Sequence, residues 1–170
     1  PTNCGKGHFI TRMIKRMWES TRSPLKRRKV YYVSSEATID KTLEHLRIKK
    51  FEDWFWPIDV SQEAGEQSGL TPEEFWAQKV DAVISGVRDS VLVLDDTQDS
   101  YAPKMALKTQ NRTARIARHR NNSLISVFHS IKNGIYTQQL LQSAGYVVLF
   151  GKAQRGRCRD WFYEALGMPR

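Results

Sequence analysis

Apolar positions along this chain fall into two rhythms. Phe9, Ile10, Met13, Ile14 and Met17 recur at helical spacing, while Arg12, Lys15 and Arg16 take the other face. The predicted helix follows Asn3-Cys4-Gly5-Lys6 and is broken by Ser20-Thr21-Arg22-Ser23-Pro24. Val30-Tyr31-Tyr32-Val33 reads as a short buried strand. Residues 36–70 carry little periodic signal, with a Trp54-Phe55-Trp56-Pro57 knot and a Gly/Ser/Glu-rich loop over 61–69. Thr71-Pro72-Glu73-Glu74 predicts a helix start in which Thr71 caps, Pro72 takes the first turn and Glu74 closes a capping box. That helix runs to about Val87.

The second half alternates more regularly. Val91-Leu92-Val93-Leu94 is a fully apolar strand ending in Asp95-Asp96, and a basic helix follows from about Pro103 to Arg118. Leu124 to Phe128 is another strand, a helix near 136–143 comes next, and Tyr146 to Phe150 is a third apolar run. A helix over 159–166 closes the chain. Apolar strands alternating with helices predict an α/β fold, a mostly parallel sheet with helices on both faces.

Composition narrows this picture. The 170 residues suit one domain spanning 1–170, and 40% hydrophobic with 26% charged residues is a globular mixture. No apolar run reaches the roughly 20 residues of a membrane span. Cys4 and Cys158 lack CxxC spacing, which argues against zinc and fits a reduced, intracellular setting; one disulfide is the alternative. The net charge of +9 is segregated: +8 over residues 1–35, −6 over 36–89 and +7 over 90–170. Two basic ends around an acidic middle favour a polyanion partner, most simply nucleic acid, over a merely solubilising surface.

Two local patterns carry candidate chemistry. Pro1-Thr2-Asn3-Cys4-Gly5-Lys6 matches the phosphate-loop pattern G-x-x-x-x-G-K-[ST] from its second position through the lysine. The first glycine and the strand carrying the loop would precede residue 1, so the chain reads as an N-terminally truncated fragment. In such a loop backbone N–H groups surround phosphate oxygens, so Thr2, Asn3, Cys4, Gly5, Lys6, Gly7 and His8 are the expected nucleotide contacts, with Lys6 on the β- and γ-phosphates. Gly7 stands where Ser or Thr normally offers Mg²⁺ a hydroxyl. Thr11 lies roughly 6 Å further along the helix axis, too far to substitute, so water must fill that position. An ordinary turn with a surface lysine is the plain alternative.

The second pattern is four apolar residues followed by Asp95-Asp96, the Walker B arrangement. Carboxylates at a strand's C-terminal end sit where α/β sheets bind ligands. Asp95 is expected to hold Mg²⁺ and Asp96 to polarise the attacking water; a strand running into a polar turn is the alternative. With Gly5-Lys6 upstream, the joint pattern favours an ATP-binding P-loop NTPase core.

The stretch from Val91 to Phe150 adds a family resemblance. Leu92-Val93-Leu94-Asp95-Asp96, then Arg118-His119-Arg120-Asn121-Asn122-Ser123-Leu124-Ile125-Ser126-Val127, then Gly145-Tyr146-Val147-Val148-Leu149-Phe150 resemble the poxvirus-type branch of the FtsK–HerA genome-packaging ATPases. The resemblance implies a homo-oligomeric ring that drives double-stranded DNA into a capsid, with a capsid vertex protein as partner, at a viral assembly site. It implies that His129 takes the γ-phosphate sensor position, where the family carries Gln; a partly buried structural histidine is the alternative. The family's arginine ahead of the last strand has no match among Gln138, Gln139, Gln142 and Ser143. The arginine finger is therefore sought among Arg118, Arg120, Arg155 and Arg157.

Lys104, Lys108, Arg112, Arg115 and Arg118 share one helical stripe, and no acid interrupts residues 100–131. A uniform stripe needs an anion: a DNA backbone, or an acidic subunit face such as residues 36–89. Trp54 and Trp56 read as core or interface residues, with stacking on bases around Phe55 the lesser alternative. The expected function is an ATP-driven DNA-packaging translocase using ATP and Mg²⁺. A superfamily 3 viral replication helicase and a nucleotide- or DNA-binding assembly protein without hydrolysis are the alternatives. The helicases end their sensor strand with Asn, which Ser130 is not.

Overall fold

The computed structural model describes residues 5–21, 27–35, 41–46, 53–128, 140 and 144–148. Helix α1 (Lys6–Ser20) buries Ile10, Thr11, Ile14 and Trp18, steps of one, three and four that keep one face inward. The buried stripe is rotated from the sequence expectation, since Phe9 points outward at 41% exposure and Trp18 is in. Strand β1 (Lys29–Ser34) follows, then a 3-10 turn over Lys41–Leu46, and β2 (Phe55–Asp59). The Trp54–Pro57 knot is thus largely a strand. Pro57 lacks a backbone donor and is tolerated because β2 lies at the edge of the described sheet.

Helix α2 (Gln62–Ser68) leads to α3 (Pro72–Trp76), which passes through a π-helical segment (Ala77–Asp81) into α4 (Ala82–Ile84). The Thr71 capping box forms as the sequence predicts, with Pro72 in the first turn. Strand β3 (Ser90–Asp95) is buried along its whole length. Helix α5 (Pro103–Ile116), a 3-10 turn (Arg118–Arg120) and strand β4 (Ser123–Val127) complete the described elements.

The four described strands run parallel in the order β2-β1-β3-β4. Side-chain alternation sends Val30, Tyr32, Val91, Val93 and Phe55 to one face, where they pack on Ile10, Ile14 and Trp18 of α1 and on Leu43 and Leu46. Val33, Leu92 and Leu94 take the other face, under Phe75, Trp76, Val80, Ile84 and Ala106. The α/β expectation of a parallel sheet covered on both faces therefore holds. No described strand precedes α1.

The apolar run at 146–150 forms no strand over its described residues. Tyr146, Val147 and Val148 are 96%, 38% and 54% exposed. An apolar run becomes a strand only where a neighbour takes up its backbone groups, and among the described residues β4 pairs with β3 alone. Leu140 is helical and buried. The closing helix expected at 159–166 lies outside the described residues.

Candidate functional site

The carboxyl ends of the strands open toward the start of α1. Ser34 is in register with Asp59 on one side and Asp95 on the other, and alternation puts all three on the α1 face. Asp95 is the last residue of β3 and 8% exposed. The phenol of Tyr32, from β1, donates to its Oδ2. Burying a carboxylate costs free energy unless donors answer its oxygens, and this hydrogen bond answers one of them. Asp59 Oδ1 accepts from the backbone N–H of Ser61 at 2.9 Å.

Asp96 turns out of the strand in the left-handed region, at φ 49° and ψ 33°. Asp is among the few residues that tolerate this conformation, and it still costs roughly 1–2 kcal/mol. A 3-10 turn over Thr97–Asp99 holds it, with the Asp99 N–H donating to the Asp96 carbonyl at 3.1 Å. The Ser35 hydroxyl reaches the same carbonyl at 3.4 Å.

Lys6 arrives from the other side. It is the first residue of α1, entered through Gly5 at φ 84°, a left-handed turn that favours glycine. Open space surrounds the position of a Cβ on Gly5, so backbone conformation and not crowding demands the glycine. Lys6 Nζ lies 3.5 Å from Asp96 Oδ1, with the two side chains 14% and 22% exposed. A cation at a helix N-terminus opposes the helix dipole, and the facing carboxylate offsets that cost. The edge therefore gathers a lysine, a helix N-terminus, hydroxyls and carboxylates in one place.

The oxygen donors suit a hard divalent cation: Mg²⁺ needs few protein carboxylates and takes water and phosphate oxygens for the rest. Gly7 offers no hydroxyl. Thr11 cannot substitute, since it is fully buried and its hydroxyl donates to the Gly7 carbonyl at 2.7 Å. Gly5 and His8 are exposed and Gly7 half-buried in the first turn of α1. Thr2, Asn3, Cys4, His129, Arg155 and Arg157 lie outside the described residues.

The segment from Arg118 to Asn122 is not brought to this edge. It precedes β4 and so lies at the amino end of the sheet, about 17 Å from the Asp95 end at some 3.3 Å per residue. There it works as a brace. Asn122 Oδ1 accepts from the Ser90 N–H at 3.1 Å, and its amide donates to the Val87 carbonyl at 2.9 Å. The Arg120 guanidinium donates to the Ser85 carbonyl, while Arg118 is exposed. Arg28 joins three strands, donating to the Ser90 and Asn121 carbonyls at 2.7 and 2.5 Å and to the Ser123 hydroxyl at 3.0 Å. Its burial pulls the guanidinium pKa down, partly offset by Asp89.

The basic stripe is split. Lys104, Lys108 and Arg115 are exposed opposite the buried Ala106, Thr109, Gln110 and Thr113. Arg112, at the flank, is drawn to Asp81 of the π segment at 2.7 Å. Asp81 also accepts from the Thr109 hydroxyl at 3.2 Å, and Thr109 in turn accepts from the Trp76 indole at 2.9 Å. The anion required by the stripe thus comes partly from within the chain. Neither tryptophan of the knot offers an open ring: Trp54 is buried edge-on against Trp18, and Trp56 is stacked on Tyr31 at 5.4 Å with Lys29 over its ring.

Sequence reasoning missed Tyr32, Ser34 and Asp59. Asp59 could have been found as the polar end of the apolar run Phe55 to Ile58. Tyr32 gave no signal beyond strand propensity. No described helix is long and apolar enough to cross a membrane, and no group of three His, Cys, Asp or Glu that could hold a metal ion occurs among the described residues. No protein-family model matches the chain, and neither a curated protein nor a solved structure matches it.

Proposed function

We propose that this chain is a P-loop ATPase that binds ATP at the carboxyl edge of its sheet and couples hydrolysis to movement of double-stranded DNA during viral genome packaging. The observation that carries the reading is the approach of Lys6 Nζ to Asp96 Oδ1, across 90 residues of sequence, at 3.5 Å. A lysine opening a helix, facing paired carboxylates at a strand end, is the arrangement that phosphate transfer uses. Lys6 would exchange Asp96 for the β- and γ-phosphates when nucleotide enters. Asp95, fixed by Tyr32, would hold Mg²⁺, which neutralises phosphate charge as the bond to the leaving group breaks. Released from Lys6, Asp96 would orient the attacking water. The exposed Lys104, Lys108 and Arg115 offer phosphate contacts without sequence preference, as a motor on any DNA requires.

The packaging role, the ring and the capsid partner rest on the sequence resemblance. A second reading, nucleotide or DNA binding without hydrolysis, is favoured by one observation: Gly7 has no hydroxyl and that of Thr11 is bonded to the Gly7 carbonyl. ATP turnover with and without long duplex DNA separates the two. DNA-stimulated hydrolysis lost in Asp96→Asn supports the motor. No turnover, with intact and salt-dependent DNA binding, sinks it in favour of the second reading. Strand separation of forked substrates would point to a helicase instead.

A further inference from the structure

We infer that Gln110, a buried side chain on α5, is a positioning residue for Asp96 and acts through Thr97; the inference rests on the ATPase reading above. Gln110 and Thr97 are each 2% exposed. The Gln110 amide Nε2 donates to Thr97 Oγ1 at 3.2 Å across 13 residues. A glutamine on an otherwise apolar or small-residue helix face costs free energy unless its amide is answered, and this hydrogen bond answers it.

Thr97 is the residue that follows Asp96. Its carbonyl accepts from the Ser100 hydroxyl at 2.6 Å and from the Ser100 N–H at 3.3 Å. Together with the Asp99 N–H on the Asp96 carbonyl, these bonds close the short turn that keeps Asp96 left-handed. A left-handed aspartate relaxes toward ordinary backbone angles when its surroundings stop over-determining it. Gln110 adds a long-range restraint on Thr97 itself, beside the Ser35 hydroxyl on the Asp96 carbonyl and Lys6 on the Asp96 carboxylate. It also sits on the helix whose opposite face exposes Lys104, Lys108 and Arg115, so the helix offered to DNA is tied to the turn carrying Asp96.

The test is a double-mutant cycle on Thr97→Val and Gln110→Leu, near-isosteric changes that remove only hydrogen-bonding groups. Each single variant strands a buried polar partner and so lowers both Tm and kcat. The double variant leaves no partner stranded, so its Tm recovers toward wild type. Its kcat stays low, by about 10- to 100-fold as expected for a misplaced catalytic group, while the KM for ATP changes little. Thr97→Ser, which keeps the hydroxyl, restores turnover. A double variant that recovers kcat along with Tm overturns the inference, because the pair would then be structural only. A wild-type chain without ATP turnover overturns the ATPase reading, and the inference with it; normal turnover in both wild type and double variant overturns the inference alone.

Discussion

The phenol of Tyr32 donates to Oδ2 of Asp95, joining the middle of β1 to the end of β3 beneath α1. Tyr32 is in register with Val93, two residues before Asp95, so both side chains rise on the same face and the phenol reaches along the strand direction. The pair shows why the Asp95 carboxylate can be 8% exposed at the head of a fully apolar strand. A buried carboxylate oxygen without a donor costs free energy, which the phenol offsets.

Replacing Tyr32 by Phe tests this pairing. Leaving a buried acceptor without its donor costs about 1–3 kcal/mol, so Tyr32→Phe should lower the unfolding free energy by that order in urea denaturation. A loss of under about half a kcal/mol, the scale of an ordinary surface substitution, would show that the phenol is not needed to keep Asp95 in place.

The split of the basic stripe makes a sharper prediction about DNA. Lys104→Ala, Lys108→Ala and Arg115→Ala should each weaken duplex binding and reduce the slope of log K against log salt by about one. Arg112→Ala should leave that slope nearly unchanged, because its guanidinium is engaged by Asp81. Its own cost is a small loss of stability, no more than about 1 kcal/mol for a half-exposed pair. Equal slopes for all four variants would mean that DNA displaces Asp81.

Gly65 and Tyr101 should prove sterically coupled. A Cβ on Gly65 would overlap the ring of Tyr101, whose hydroxyl is tied to the Leu70 carbonyl at 2.9 Å and whose ring packs edge-on against Phe75. Gly65→Ala should therefore destabilise by about 1–3 kcal/mol, measured by thermal unfolding, despite the higher helix propensity of alanine. Gly65→Ala in a Tyr101→Ala background should be far milder, since the obstructing ring is gone.

The capping box makes a pH prediction. Hydrogen bonds from the Thr71 hydroxyl and N–H pull the Glu74 pKa below the ordinary carboxylate range. A group whose pKa falls on folding binds more protons in the unfolded chain, so its contribution is present near neutrality and lost as pH drops through the folded value. Wild type should lose more Tm than Glu74→Gln when pH falls from about 6 to about 3. Parallel curves would show that the Glu74 charge contributes nothing to the cap.

Local chemistry made much of the fold legible. The all-apolar run at 91–94 predicts a strand buried on both faces, and it is one, because only a central parallel strand removes every side chain from water. Thr71, Pro72 and Glu74 announce a helix start within four residues, and they cap it as predicted. Gly5-Lys6 and Asp95-Asp96 named the two halves of the candidate site before any coordinate placed them together. Caps and turns are legible because they depend on near neighbours in sequence, and strand burial because the run of apolar residues itself requires both faces to leave water.

Other features depended on which elements became neighbours, and no periodicity encodes that. β2 carries little periodic signal, and pairing with β1 at the edge of the described sheet made the Trp54–Pro57 knot a strand. The uniform stripe of α5 concealed that Arg112 would find Asp81 on another helix, and the Arg120–Asn122 segment proved to brace the amino end of the sheet. Lys6 and Asp96 were each visible in the sequence, but their approach at 3.5 Å required a parallel sheet that brings β3 and the start of α1 to one edge. The sequence by itself determined Lys6, Asp95 and Asp96 as candidates and the helix and strand that present them, but not Tyr32, Ser34 or Asp59 beside them. Only the tertiary structure decided which of its charges face one another, because an ion pair 90 residues apart is set by packing and not by local propensity.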